Sequence, residues 1–372
     1  NDDDSAEVRI EPFQQASENP VGVGTDGVFR VFATNPSQTS YSVNFSDGTN
    51  PGTASPALDY VALLGTGLNF GPGETQKFIS IDTIDDVLVE DLETVTVELT
   101  GFTNPVLVDP EISIAAPPAN QATLTITDND SATIAIGNVT LAEGDAGTTA
   151  FTFDITIDTP VDVAVTLQAD SADGTATLAD NDYAALVAAP VTFAAESTAT
   201  QQVTVQVNGD TTVELDEAFN VLLSNLMAGG RDVTIGTPTG TGMITNDDSA
   251  TIAINNVMLD EGDTGTTAFT FDITIDNPVD VAVSLQADSS DGTATLADND
   301  YVALVAEPVS FAANSTTTQQ ITVQVIGDTA FEPDEVFDVV LSNLMAGGRS
   351  VTFGTGSGTG TIPTFESMVV NG

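Results

Sequence analysis

Apolar and polar residues alternate along short stretches of this chain, and the stretches recur. In Phe151-Thr152-Phe153-Asp154-Ile155-Thr156-Ile157 and in Val203-Thr204-Val205-Gln206-Val207 every second residue is apolar. That period places one face of an extended strand on a core and the other in water. β-branched residues dominate, and Gly, Asn, Asp and Pro punctuate the pattern at roughly the eight-to-twelve-residue rhythm of an antiparallel sandwich. No segment shows a convincing helical period. A long final hairpin is expected, out along Ala218–Leu223, through the Gly229-Gly230 turn and back along Val233-Thr234-Ile235.

The strand pattern repeats in whole blocks. Ser131-Ala132-Thr133-Ile134-Ala135-Ile136 returns as Ser249-Ala250-Thr251-Ile252-Ala253-Ile254, a shift of 118 residues. The same shift carries Glu143 to Glu261, Asp182 to Asp300, Glu217 to Glu335 and Arg231 to Arg349 without a gap. A period of that length is a domain and not a solenoid repeat. The expected organisation is three tandem antiparallel β-sandwiches: a divergent copy at 1–130, then 131–248 and 249–372. Acidic triplets, Asp128-Asn129-Asp130 and Asn246-Asp247-Asp248, mark the junctions, and no flexible linker separates the units, so neighbours are expected to meet closely.

Charge changes the picture. The chain has 55 acidic and 5 basic residues and lacks His, Cys and Trp. Salt or bound divalent cations must offset such a charge in the folded state. Nucleic acid is excluded as a partner, because phosphate binding needs Lys and Arg. Without His and Cys, most transition-metal sites and nucleophile–base pairs are lost, and no apolar pocket sets one carboxyl apart from another as an acid–base pair needs. The expectation is a non-enzymatic protein. No stretch approaches the ~18 apolar residues of a membrane span, and Asn1-Asp2-Asp3-Asp4 is no signal peptide, so the sequence is read as a processed form or a piece of something longer.

The carboxylates are not scattered. The spacing D-x3-E-x2-E occurs at Asp86, Glu90 and Glu93, at Asp210, Glu214 and Glu217, and at Asp328, Glu332 and Glu335, each preceded by an Asp-Tyr step at Asp59, Asp182 or Asp300. Several carboxylates at fixed intervals form the all-oxygen shell that calcium, Ca2+, prefers. The competing reading is an acidic surface that holds water, with Asp and Asn as ordinary turn residues. Asp162 and Asp280, and Asp173 and Asp291, are read in that second way, and the Asp-Tyr aromatics as core or corner residues.

These features together resemble Calx-beta domains, the immunoglobulin-like modules of sodium–calcium exchangers and of large bacterial surface proteins. The resemblance rests on the Glu143-Gly144 and Glu261-Gly262 turns, the Asp-Tyr step, the D-x3-E-x2-E sets and the terminal acidic triplets. It implies that Glu143, Asp182, Asp210, Glu214, Glu217, Asp247 and Asp248 converge at the pole facing the third unit and bind calcium. In the first unit the implied set is Glu18, Asp59, Asp86, Glu90, Glu93, Asp128 and Asp130, although Glu18 lacks the following Gly.

The third unit keeps Glu261, Asp300, Asp328, Glu332 and Glu335, but Thr364-Phe365-Glu366 stands where a triplet is expected. The first residues, Asn1 to Ala6, match the missing segment Asn246 to Ala250. One reading is that Asp2, Asp3 and Asp4 of one subunit complete the calcium site of the next, giving a head-to-tail homopolymer, with the 362–370 tail adding a strand to the neighbour. The other is that the sequence belongs to a longer array. The function expected is an extracellular structural protein, a subunit of a bacterial surface filament with calcium at domain and subunit junctions. The alternative is a stalk segment of a larger calcium-dependent adhesin that contacts other surface proteins or carbohydrate; the lack of Trp argues against carbohydrate-gripping loops.

Overall fold

The computed structural model describes residues 5–18, 25–63, 67–103 and 111–364. Among them all regular structure is β-strand, in three successive domains of nine strands: β1 (Ala6–Gln14) to β9 (Gln121–Thr127), β10 (Ala132–Ile136) to β18 (Thr239–Thr245), and β19 (Ala250–Ile254) to β27 (Ser357–Ile362). No helix among the described residues is long and apolar enough to cross a membrane.

In the second domain the alternating stretches become β12 (Gly147–Ile157) and β15 (Gln201–Gly209), paired antiparallel over nine residue pairs. Their inward residues are buried, Phe151, Phe153, Val205 and Val207 almost completely. Burying each such side chain contributes about 1.5–3 kcal/mol. These strands, β10 and β17 (Val233–Thr237) make a four-stranded sheet in the order β15-β12-β10-β17. A five-stranded sheet faces it in the order β11-β18-β16-β13-β14, where β11 is Val139–Ala142, β13 Val165–Ala172, β14 Ala189–Phe193 and β16 Glu217–Met227. The other two domains repeat both sheets.

One expectation is corrected here and another refined. The final hairpin does not exist: past Gly229 and Gly230, both at positive φ, β17 crosses to the other sheet and pairs parallel with β10, while β18 takes the place beside β16. The sandwich is also not wholly antiparallel, because β11 pairs parallel with β18. The cause of both is the splitting of the first strand between the sheets at Gly137-Asn138, which leaves β10 with an open edge that β17 covers.

Neighbouring domains interlock. Val89, in the loop between β6 (Gln76–Ile81) and β7 (Glu93–Phe102), is fully buried in the hydrophobic core of the second domain. It forms a β-bridge with Val161: its amide donates to the Pro160 carbonyl at 3.0 Å and its carbonyl accepts from the Asp162 amide at 3.1 Å. Val213 does the same in the third domain, with Pro278 at 2.9 Å and Asp280 at 3.3 Å.

Candidate metal centre

The buried Asp-Tyr tyrosines locate the first ligand of each set. Tyr183 stacks on Phe219 with ring centroids 4.7 Å apart, and Tyr301 on Phe337 at 4.8 Å. Their hydroxyls donate to Asp173 at 2.6 Å and to Asp291 at 2.5 Å. Asp173 and Asp291 are therefore tyrosine anchors and not merely solvated turn residues, a correction of the sequence reading. With the ring fixed, the adjacent Asp182 and Asp300 are aimed outward from the core, each held through Oδ2 by an amide, Thr177 or Thr295, at 2.6 Å. Asp59 receives the Ser55 amide in the same way.

The D-x3-E-x2-E residues approach from the next loop, and the last Glu opens a strand of the five-stranded sheet in every domain. Three carboxylate clusters result, Asp59 with Glu90 and Glu93, Asp182 with Glu214 and Glu217, and Asp300 with Glu332 and Glu335; in each, one oxygen per residue lies within 4.8 Å of the others. A second cluster sits beside the first in two domains: Glu18 with Asp128 and Asp130, and Glu143 with Asp247 and Asp248. The implied sevenfold set is thus two neighbouring triads. Asp86, Asp210 and Asp328 belong to neither; each turns one oxygen to an amide two residues on, at 2.6–2.7 Å. Asp86 and Asp210 nonetheless lie close enough to push up the carboxyls of Glu18 and Glu143.

Turn chemistry sets the second triad. Gly144 at φ +84° turns the chain after Glu143, and its amide donates to Asp247 at 3.2 Å. Gly209, just before Asp210, allows the two loops to touch: a Cβ there would lie 2.0 Å from the Gly144 carbonyl oxygen. Gly327 is equivalent in the third domain, 2.2 Å from the Gly262 oxygen. Sequence reasoning missed both glycines, although their place before the first Asp of each set is a signal. It also missed Asp216 and Asp334, which accept from the amides of Asn246 at 3.1 Å and Thr364 at 2.8 Å and so tie the junction to the loop.

Burial and mutual repulsion disfavour the ionised form of these carboxyls. Burial, then repulsion from acidic neighbours, pushes Glu18 and Glu143 to about 8. Burial followed by Asp59 takes Glu93 to about 8, and burial with nearby acids takes Glu90, Glu214, Glu217 and Glu335 to about 7. In these triads four buried carboxylate oxygens, one each on Glu18, Glu93, Asp130 and Asp248, have no hydrogen-bond partner. A buried anionic oxygen without a donor is costly, and a hard divalent cation satisfies several at once. The donor set, all carboxylate oxygen, therefore fits calcium.

Asp162 and Asp280 are more than turn residues. Each is gripped by an arginine, Arg231 at 2.6 and 2.8 Å or Arg349 at 2.5 and 2.7 Å. Each also lies near enough to raise a carboxyl of the preceding domain, Glu90 or Glu214. The cluster of one domain is thus built against the next.

The third domain differs as its sequence indicates. Glu261 and Asp328 flank a cavity of about 230 Å³ bounded by Pro363, on the side where the second domain has Asp247 and Asp248. Asp2, Asp3 and Asp4, and the tail beyond Thr364, lie outside the described residues.

A search of curated proteins returns no match. Among solved structures, the chain is similar to the CBD12 crystal structure from CALX1.2, at 16% identity over 63% of this chain and 100% of that one, with a TM-score of 0.29. It is similar to the apo-form Calx CBD1 domain at 23% identity over 32% and 100%, with a TM-score of 0.28. The Calx-beta domain model matches residues 2–130, 135–256 and 255–363, almost the whole sequence. This threefold match over nearly the whole sequence makes the chain a member of the Calx-beta domain family.

Proposed function

We propose that this protein binds calcium at the poles of its domains and acts as a stiff extracellular array, copies joining head to tail into a bacterial surface filament. It works by binding and not by catalysis. The observation that carries the calcium reading is the set of partnerless buried carboxylate oxygens inside acidic triads, at the poles where domains meet.

Glu18, Asp128 and Asp130 with Asp59, Glu90 and Glu93 would hold the ions of the first domain, and Glu143, Asp247 and Asp248 with Asp182, Glu214 and Glu217 those of the second. Asp300, Glu332 and Glu335 would serve the third. Asp86, Asp210 and Asp328 add negative potential from the rim. Bound cation stabilises folded over unfolded chain by mass action, and because Asp162 and Asp280 face the same clusters, it also firms the seam. A net charge of −50, which favours solubility in a salty medium, supports an extracellular setting, where calcium modules work at a Kd of about 10⁻⁴–10⁻³ M. The cavity beside Glu261 supports head-to-tail joining, since acids from another chain would complete the triad there.

Isothermal titration with calcium, followed by melting with and without EGTA, tests this. Calcium uptake at several sites, and a melting temperature that falls on chelation, are expected. No heat of binding at millimolar calcium and an unchanged melt would refute it.

A further inference from the structure

Phe331, 82% exposed, is the most exposed large hydrophobic side chain among the described residues. The 118-residue shift places it at the position of Val213, and Val213 in turn corresponds to Val89, each standing immediately before the middle Glu of its acidic set. Both valines are fully buried in the following domain. Among the described residues, the third domain thus displays the same docking residue, enlarged and uncovered.

The matching socket can be located on the first domain. In the second domain the receiving segment is Pro160-Val161-Asp162, and the Val161 carbonyl accepts from the Glu196 amide at 2.7 Å. In the third domain it is Pro278-Val279-Asp280, and the Val279 carbonyl accepts from Asn314 at 2.7 Å. In the first domain the Ser37 carbonyl accepts from the Gly73 amide at 2.8 Å, which identifies Pro36-Ser37-Gln38 as the equivalent segment. There it lines an open groove of about 960 Å³ with Ala6, Pro72 and Ile112.

The differences are complementary. The docking residue grows from Val to Phe where the socket residue shrinks from Val161 or Val279 to Ser37, conserving the combined volume as a packed interface requires. The acid–arginine pair of the internal seams disappears from the socket, with Gln38 in place of Asp162. On the docking loop Pro333 stands in place of Asp91, which lies 3.8 Å from Arg231 at the first seam.

We propose that Phe331 of one copy inserts at Pro36-Ser37-Gln38 of a second copy, repeating between molecules the seam that Val89 and Val213 make within one. The partner proposed is a second copy of this same chain, in a heterologous, open-ended contact. The inference rests on the head-to-tail reading above and names its apolar lock, a side chain that adjoins Glu332 but is not itself a calcium ligand.

The chain has no cysteine, so introduced thiols report the contact cleanly. In calcium, a mixture of Ala330→Cys and Gln38→Cys chains treated with a short bismaleimide should give a cross-linked pair, and neither variant alone should. Sedimentation should show concentration-dependent oligomers for the unaltered protein and at least a tenfold weaker association for Phe331→Asp. Calcium titration of Phe331→Asp should still show binding, separating loss of the lock from loss of the ion. Oligomers that persist in Phe331→Asp, or cross-linking of either single variant with itself, would overturn the Phe331 lock while leaving head-to-tail joining intact. A monomer at hundreds of micromolar in calcium would overturn both, and calcium binding would then stand alone.

Discussion

Arg231 donates from Nε to Asp162 Oδ1 at 2.8 Å and from Nη2 to Oδ2 at 2.6 Å, and the arginine side chain is only 15% exposed. The pair holds the socket of the first seam from behind. Replacing Arg231 with Ala leaves a half-buried carboxylate facing Glu90, and should cost about 2–3 kcal/mol in urea unfolding of the calcium-free protein. Arg9→Ala breaks a pair whose partners are both 45% exposed and should cost under about 1 kcal/mol. Equal losses would deny the seam pair its structural role.

Acidity should govern the metal-free protein. With Glu18, Glu93 and Glu143 near 8 and Glu90, Glu214, Glu217 and Glu335 near 7, the folded chain keeps protons that the unfolded chain loses near pH 4.5. Stability without metal is then full below about pH 4.5 and falls as pH rises through 7 to 8. Calcium needs the ionised form, so EGTA should lower the melting temperature more at pH 8 than at pH 5.5. Adding calcium at pH 7 should release protons measurable in a pH-stat. The reverse order of melting shifts would contradict this assignment.

A carboxylate-to-amide change should have opposite effects in the two states. Glu143→Gln removes a charge that burial and four acidic neighbours oppose, so the EGTA-treated protein should melt higher at pH 8.5. The same change removes a ligand, and calcium affinity at that pole should drop at least tenfold, on the order of 1.4 kcal/mol. Calorimetry on one preparation reads both; a variant weakened in both states would mean that Glu143 is structural.

Gly209→Ala places a methyl group 2.0 Å from the Gly144 oxygen. The loop carrying Glu143 must move, at a cost of about 1–3 kcal/mol, and calcium affinity should fall although no ligand is altered. At Gly137 an added Cβ meets only the Asp154 oxygen, at 3.7 Å, so Gly137→Ala is the control. Unchanged affinity in Gly209→Ala would show that the loop gives way without disturbing Glu143.

Much of this was legible in the sequence because period-two alternation and a gapless repeat are local signals. Phe151, Phe153 and Val205 declare their burial by position, and the Asp-Tyr and D-x3-E-x2-E patterns pick out residues that the fold brings together. What escaped depends on residues far apart. The crossing of β17 follows from the splitting of the first strand between sheets, roughly a hundred residues upstream. Asp162 looks like any turn acid until Arg231 and the preceding domain surround it, and Asp173 does so until Tyr183 reaches it. Two triads in place of one sevenfold cluster follow from loop geometry that spacing does not encode.

The two internal seams use the same parts: a valine from the acidic loop, a bridge to a Pro-Val-Asp segment, and an arginine behind it. Equal contacts impose nearly the same rotation and translation from one domain to the next. Three domains joined this way trace the start of a screw, and a chain lengthened by further identical steps would wind with a fixed pitch and hand set by one short loop.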